Sequence, residues 1–336
     1  MAALAVVVFH FMEFVVPDYT QSFIAHAYLA VDFFFCLSGF VIASAYDTKL
    51  TQFGVGPFLL RRLVRLHPLV LLGSVLGLVT FVADPFSALY ATYGPGVTAR
   101  MFLASCLLVP YPVVHERYFN LFHLNPPTWS LFWEYVANVL YALGLVRLRP
   151  KALGALTVLA AGALCYEAAQ AGNLAVGFDG ATFGGGAVRM AASFWGGMVL
   201  YRAGGILPTG LGFLPLGLLL LGAFVVPFVP TWNWLLDPVL VVLYFPGLVA
   251  LGAGARVSAW GATVCRWSGE LSYPLYMIHY PFLWLFLSYL EHEKPAFATQ
   301  IALIPVATGL LLLLAYLVLV GFDVPLRRYL RQHLLA

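Results

Sequence analysis

Long apolar runs, separated by short polar or glycine- and proline-containing stretches, make up most of the chain. A run of about 20 apolar residues indicates a membrane-spanning helix, because in hydrocarbon each backbone polar group must be satisfied within its own segment. The pattern predicts an all-α, polytopic integral membrane protein with about ten transmembrane helices. They lie at residues 1–16, 24–46, 66–83, 129–146, 152–171, 187–203, 211–229, 234–251, 271–290 and 299–322. Residues 99–110 are too short to span, so we expect a re-entrant or interfacial helix there.

Composition supports a bilayer as the first partner of this protein. Hydrophobic residues make up 62% of the 336-residue chain and charged residues only 9%, which excludes an ordinary cytosolic enzyme. The 17 Lys and Arg form no dense basic run, so we expect no nucleic-acid partner. The four cysteines lack the spacing of a disulfide framework or zinc site, and we expect no metal. No domain-sized soluble segment interrupts the pattern, which predicts a single domain over 1–336.

The distribution of cations predicts the orientation. If the chain enters from the cytoplasm, Lys and Arg collect at the inner ends of the predicted helices, as the positive-inside rule requires. Only Arg100, Arg117, Arg189 and Lys294 then lie outside. We therefore expect a multi-pass protein of the cell (inner) membrane with both termini in the cytoplasm.

Five ionisable residues lie inside the predicted spans: His10, Glu13, Asp32, Glu134 and His279. Such groups are costly in a bilayer, which makes each a functional hypothesis. By helix rise, His10, Asp32 and Glu134 share a layer about 8 to 12 Å below the outer face, and His279 approaches it from the inner half. The simpler alternative is that each histidine only bonds a neighbouring helix and each carboxylate only pairs with a hydroxyl or cation. The spacing leaves both open.

The segment RRLVRLHP places Arg61 and Arg65 on one helix face beside Arg62. Arginine binds phosphate through a rigid, permanently charged fork, so the cluster suits an anionic ligand at the membrane surface. The alternative is an ordinary positive-inside anchor that also touches anionic lipid.

Five motifs occur in an order that resembles the membrane acyltransferase 3 family. They are AALAVVVFH, AVDFFFCLSGFVIA, RRLVRLHP, TWSLFWEY and LSYPLYMIHYPFL, between residue 2 and about residue 290. The resemblance implies an enzyme that transfers an acyl group, commonly acetyl, from acetyl-CoA or another acyl-CoA. The implied acceptor is a hydroxyl of a carbohydrate or glycoconjugate, which makes O-acetylation and polysaccharide modification the expected roles.

The same resemblance implies roles for the motif residues. His10 would be the base that activates the acceptor, or a nucleophile that carries the acyl group; Asp32 or Glu134 would orient it. His279 would line the thioester channel.

For the donor, the resemblance implies that Arg61, Arg62, Arg65 and Ser38 bind the acyl-CoA. The acceptor, the acyl chain length and the oligomeric state stay open at this point.

Two alternatives belong to other classes. A proton-coupled transporter or flippase of a polar solute or lipid-linked glycan would use the buried histidines and carboxylates as a proton relay. It would move solute without consuming acyl-CoA. A scaffold without chemistry would leave the buried charges unexplained.

The start of the chain generates a prediction. The family has ten residues between an arginine and its histidine. Counting back eleven positions from His10 reaches the position two before Met1, and the first predicted span is short for a bilayer. We expect the reading frame to begin upstream, with an arginine at that position on the cytoplasmic face. The genomic sequence checks this: an in-frame stop directly before Met1, or another residue there, contradicts it.

Overall fold

The computed structural model describes residues 1–335 as an all-helical protein. Fourteen α-helices follow one another within those residues. Their bounds are α1 Ala2–Val15, α2 Ala30–Tyr46, α3 Leu50–Phe53, α4 Val55–Val82, α5 Leu89–Cys106, α6 Thr128–Leu143, α7 Pro150–Ala171, α8 Phe183–Arg202, α9 Phe213–Phe224, α10 Asn233–Val239, α11 Phe245–Ala253, α12 Ala259–Glu293, α13 Phe297–Val318 and α14 Val324–Leu334. Two π-helical turns, Leu240–Tyr244 and Leu319–Asp323, join α10 to α11 and α13 to α14.

Five continuous helices of the described chain are long and apolar enough to cross a membrane. They are Ala27–Tyr46, Val55–Val82, Pro150–Ala171, Asn233–Ala253 and Phe297–Leu334. The protein is therefore a membrane-helical protein, as expected. Each of the ten predicted spans overlaps a helix, but α1 and α9 are short apolar helices by the same measure, so the count of ten remains a prediction.

Helix boundaries differ from the predicted ones where polar residues continue a helix. The predicted span at 66–83 belongs to α4, which already begins at Val55 and includes the arginine cluster. Arginine is a good helix former, so the helix begins before the apolar run does. The short segment at 99–110 is the second half of α5, whose backbone breaks at Gly94 with φ +69° before Pro95.

The contact between α2 and α8 is the tightest packing in the centre of the protein. A Cβ atom added to Gly39 would lie 2.0 Å from the Phe194 carbonyl oxygen, and one added to Gly197 would lie 2.0 Å from that of Cys36. Small residues allow membrane helices to approach backbone to backbone. The register between α2 and α8 therefore depends on these two glycines.

A buried ion pair crosses the same contact. The Arg189 guanidinium lies 2.5 Å from the Asp32 carboxylate, and Arg189 also donates hydrogen bonds to the carbonyls of Tyr28 and Val176. Arg189 is only 1% exposed. Arg189, which the cation count assigns to the outer side, is therefore buried within α8: a buried carboxylate draws its cation into the protein.

The connection at 107–127 folds onto α12 rather than extending into solvent. Arg117 donates hydrogen bonds to Glu291 and Ser288, and the Trp284 indole donates to the His123 carbonyl. Burial lowers the pKa of His123 to about 3, so it packs as a neutral ring against Trp284. These contacts fix the connection that precedes α6.

We expect Gly39→Ala to destabilise the protein by about 1 to 3 kcal/mol, because the added methyl group would meet the Phe194 backbone, which cannot move alone. Thermal unfolding of the purified protein in detergent measures this. Gly162→Ala on α7 is the matched control, since its Cβ would meet no atom within 4 Å. Equal unfolding midpoints for the two variants would contradict the close approach.

Candidate active site

Three cavities follow one another along α2. The histidine cavity, of about 80 Å³, includes His10, Glu13 and Val31. The middle cavity, of about 410 Å³, includes Val31, Ser38 and Glu134. The arginine mouth, of about 440 Å³, is lined by Tyr46, Arg61, Arg62, Arg65, Arg331 and Leu335. Since helix rise separates Val31 from Tyr46 by about 22 Å, the cavities form a succession through much of the protein.

His10 and Glu13 form a hydrogen-bonded pair on α1. Their i,i+3 spacing brings His10 Nδ1 to 3.1 Å from Glu13 Oε2, and the Tyr19 hydroxyl donates to Glu13 Oε1 at 2.8 Å. Tyr19 reaches Glu13 because α1 ends just before Pro17 and the chain turns back. A carboxylate at Nδ1 favours the tautomer with the proton on that nitrogen. Nε2 of His10 has no hydrogen-bond partner within residues 1–335, which leaves it available as a base.

His279 of α12 lies directly beside this pair. Its ring stacks on that of His10 with 5.7 Å between centroids, and it is fully buried. Nδ1 donates to the Tyr276 carbonyl at 2.8 Å. Nε2 is buried without a partner in the described part of the chain. An unpaired buried acceptor is costly. His279 is not among the residues that line the three cavities, so its ring lies behind that of His10.

The two carboxylates expected to orient His10 do not contact it. Asp32 is held by Arg189 across the contact between α2 and α8. Glu134 accepts hydrogen bonds from Ser38 at 2.6 Å and from Arg62 at 2.9 Å. The contact expected of them is made by Glu13, which corrects the sequence prediction. The spacing of His10 and Glu13 on one helix face is the signal that could have identified it.

The histidine and middle cavities meet at a narrow point. Val31 and Tyr276 line both cavities. The hydroxyl groups of Ser130 and Tyr276 lie 2.8 Å apart there. This hydrogen bond, together with the Val31 side chain, separates the two spaces.

The arginine mouth contains donors that the described protein leaves unused. Arg65 NH1 and Arg62 Nε are buried without a hydrogen-bond partner within residues 1–335. Arg61 lies over the Phe53 ring and Arg65 over the Tyr273 ring, at 5.4 and 5.7 Å from the centroids. Arg331 of α14 also lines the arginine mouth, although it lies near the far end of the chain and the sequence did not indicate it. Charged donors without partners suit an anion with several oxygens.

Ser38, which was expected to bind the donor, lines the middle cavity. Its hydroxyl donates to Glu134, which also pairs with Arg62. The Glu134 carboxylate therefore neutralises part of the Arg62 charge. Arg61, Arg65 and Arg331 are the cations of the arginine mouth whose charge is more available to an anion.

Comparison with known proteins identifies the family. The acyltransferase-domain family matches residues 1–320. A relative from Rhizobium radiobacter, "Protein 2 in picA locus", is 37% identical over 142 residues, which cover 38% of this chain and 74% of that protein. No solved structure matches, and nothing in these comparisons supports a transporter. The match spans all five motifs, so the resemblance is confirmed: the chain belongs to the acyltransferase 3 family and is an acyltransferase enzyme.

Proposed function

We propose that this protein is a membrane-embedded O-acyltransferase that takes an acyl group from acyl-CoA on the cytoplasmic side and transfers it to a hydroxyl on the outer side. The observation that carries the proposal is the succession of cavities from the arginine mouth to the His10–Glu13 pair. The cation distribution supports this orientation, because it places the arginine mouth and both termini in the cytoplasm.

The arginine mouth fits the phosphates of the donor. Arg61, Arg65 and Arg331 would bind them, since Arg65 has a buried guanidinium donor without a protein partner. The pantetheine arm would then pass through the middle cavity beside Ser38. Glu134 would position Arg62 at the entrance of this cavity. The thioester would reach the Ser130–Tyr276 pair and, after a small side-chain movement, His10.

The His10–Glu13 pair supplies the chemistry that acyl transfer needs. Nε2 of His10 would take the proton from the acceptor hydroxyl while the oxygen of that hydroxyl attacks the thioester carbonyl. Glu13 would stabilise the imidazolium that forms, as the carboxylate does in hydrolase triads. The new ester bond forms as the carbon–sulfur bond breaks, and His10 returns the proton to the thiolate of CoA. His279 would hold the orientation of the His10 ring, on which it stacks.

The walls of the histidine cavity suit a carbohydrate acceptor. Aromatic side chains of Phe9, Tyr28, Tyr118 and Trp129 surround it. Tyr118 belongs to the connection that packs on α12 and is 52% exposed, so it is available at the cavity entrance. Aromatic faces with a few polar tips are common in sites for small ligands. We therefore propose a hydroxyl of a carbohydrate or glycoconjugate as the acceptor.

His10→Ala should lower the transfer rate by about 10² to 10⁴, the usual contribution of a positioned base. Glu13→Gln should also lower kcat, with little change in KM, because the variant loses the negative charge that stabilises the imidazolium. The assay incubates purified protein in lipid vesicles with labelled acetyl-CoA and a carbohydrate mixture, and identifies the labelled product by mass spectrometry.

His115→Gln is the matched control, since this exposed histidine lies outside the three cavities. A parental rate for His10→Ala at an equal membrane level would contradict the assignment of the base. Absence of any labelled carbohydrate with the parent protein, with both labelled acetyl-CoA and labelled octanoyl-CoA as donors, would contradict the proposed acceptor class.

Arg61→Ala and Arg65→Ala should each raise the KM for acyl-CoA by about tenfold or more, because a charge-assisted hydrogen bond is worth about 1.5 to 3 kcal/mol. Phosphate contacts are equal in the ground and transition states, so kcat should change little. Steady-state kinetics with varied acyl-CoA measures both constants. Arg328→Ala, an exposed cation of α14 outside the mouth, is the control. An unchanged KM with a reduced kcat would refute donor binding by this cluster.

A further inference from the structure

A long apolar groove lies beside the middle cavity. This lateral groove runs between α2, α9, α11 and α12 and has a volume of about 570 Å³. Its walls are almost entirely hydrocarbon, and they include Leu37, Val41, Leu216, Leu220, Leu248 and Val249. No part of the mechanism above uses it.

The lateral groove adjoins the middle cavity. Phe34, Leu37 and Val41 of α2 line both spaces, and so do Gly269 and Ser272 of α12. A Cβ atom added to Gly269 would meet no atom within 4 Å. The common border of the two spaces, called the opening below, therefore lies between α2 and α12 and has the small residues Gly269 and Ser272 on its α12 side.

The opening lies close to the junction where the thioester of the donor would be bound. Phe34 is one helical turn from Val31, which is about 4.5 Å along α2. Val31 lines the junction with the histidine cavity. A donor whose carbonyl has reached this junction therefore holds its acyl substituent next to the opening. An acetyl group ends there, whereas a longer chain needs an apolar space.

We propose that the lateral groove binds the hydrocarbon chain of a medium- or long-chain acyl-CoA, an inference that rests on the proposed donor site. The common border with the middle cavity favours this occupant over a bilayer lipid, which would need no connection to the arginine mouth. The chain turns sideways through the opening, and the CoA phosphates stay at Arg61, Arg65 and Arg331. The sequence left the length of the acyl chain open. The proposed role of the groove predicts a chain longer than acetyl.

Binding of acetyl-CoA and octanoyl-CoA to the purified protein tests the proposal without an acceptor. Each buried methylene strengthens binding about fourfold at most, so we expect octanoyl-CoA to bind at least tenfold more tightly than acetyl-CoA. Gly252→Leu should reduce this preference to within twofold and leave acetyl-CoA binding unchanged. Gly252 lines the lateral groove but not the middle cavity, and its Cβ would meet no atom within 4 Å.

Gly222→Leu on α9 is the matched control, because Gly222 has the same open surroundings but lies outside the groove. It should keep the full preference for octanoyl-CoA. Equal affinities of the parent protein for both donors, or a full preference in Gly252→Leu, would overturn the inference and leave the groove to bilayer lipid. Failure of both donors to bind would instead overturn the proposed function.

Cross-linking supplies a readout that does not depend on affinity. Octanoyl-CoA with a photoreactive group at the end of its chain should label α2, α9 or α11, and Gly269→Leu should remove this label by closing the opening. Labelling confined to α1 and residues 118–129, which surround the histidine cavity, would overturn the inference.

Discussion

The ion pair between Asp32 and Arg189 holds the helix on which the cavities are arranged. Both side chains are almost completely buried, and a charge in such surroundings is stable only with a partner and additional hydrogen bonds. Arg189 meets this need by also binding the carbonyls of Tyr28 and Val176. The pair therefore joins α2, α8 and two connections. Because Val31, Ser38 and Tyr46 follow one another along α2, the position of this helix sets the position of all three cavities.

Pairing with arginine sets three deep carboxylates apart from Glu13 and from Asp237, which lies beside His26 and Tyr28. Asp47 binds Arg202, Glu134 binds Arg62, and Asp323 lies against Arg327. Among the hydrogen bonds and ion pairs of residues 1–335, Glu13 instead has His10 and Tyr19 as its partners. An arginine would hold a carboxylate in one charge state and one place. A histidine can gain or lose a proton beside it, so the half-buried His10–Glu13 pair is suited to proton transfer.

Much of this arrangement follows from the sequence, and the exceptions have physical reasons. Each span predicted from an apolar run overlaps a helix of the structure, since hydrocarbon demands continuous helices. Helix ends were missed where Arg61 and Arg65 continue α4, because a hydropathy pattern stops at charge. The motifs indicated the family, but they did not indicate pairing across helices. Asp32 finds Arg189 and Arg331 joins the mouth through tertiary contacts between distant segments, and a single sequence carries no signal for such contacts.

The junction at the hydrogen bond between Ser130 and Tyr276 bears on the flow of protons across the membrane. In the orientation proposed above, the histidine cavity and the middle cavity open toward opposite faces of the membrane. An open junction between them would be a water-filled path along which protons could flow down the membrane potential. The apolar side chain of Val31 and the paired hydroxyl groups of Ser130 and Tyr276 would leave little room for such a column of water. In the proposed reaction, the junction would then open only for the acyl group and keep bulk water out between turnovers.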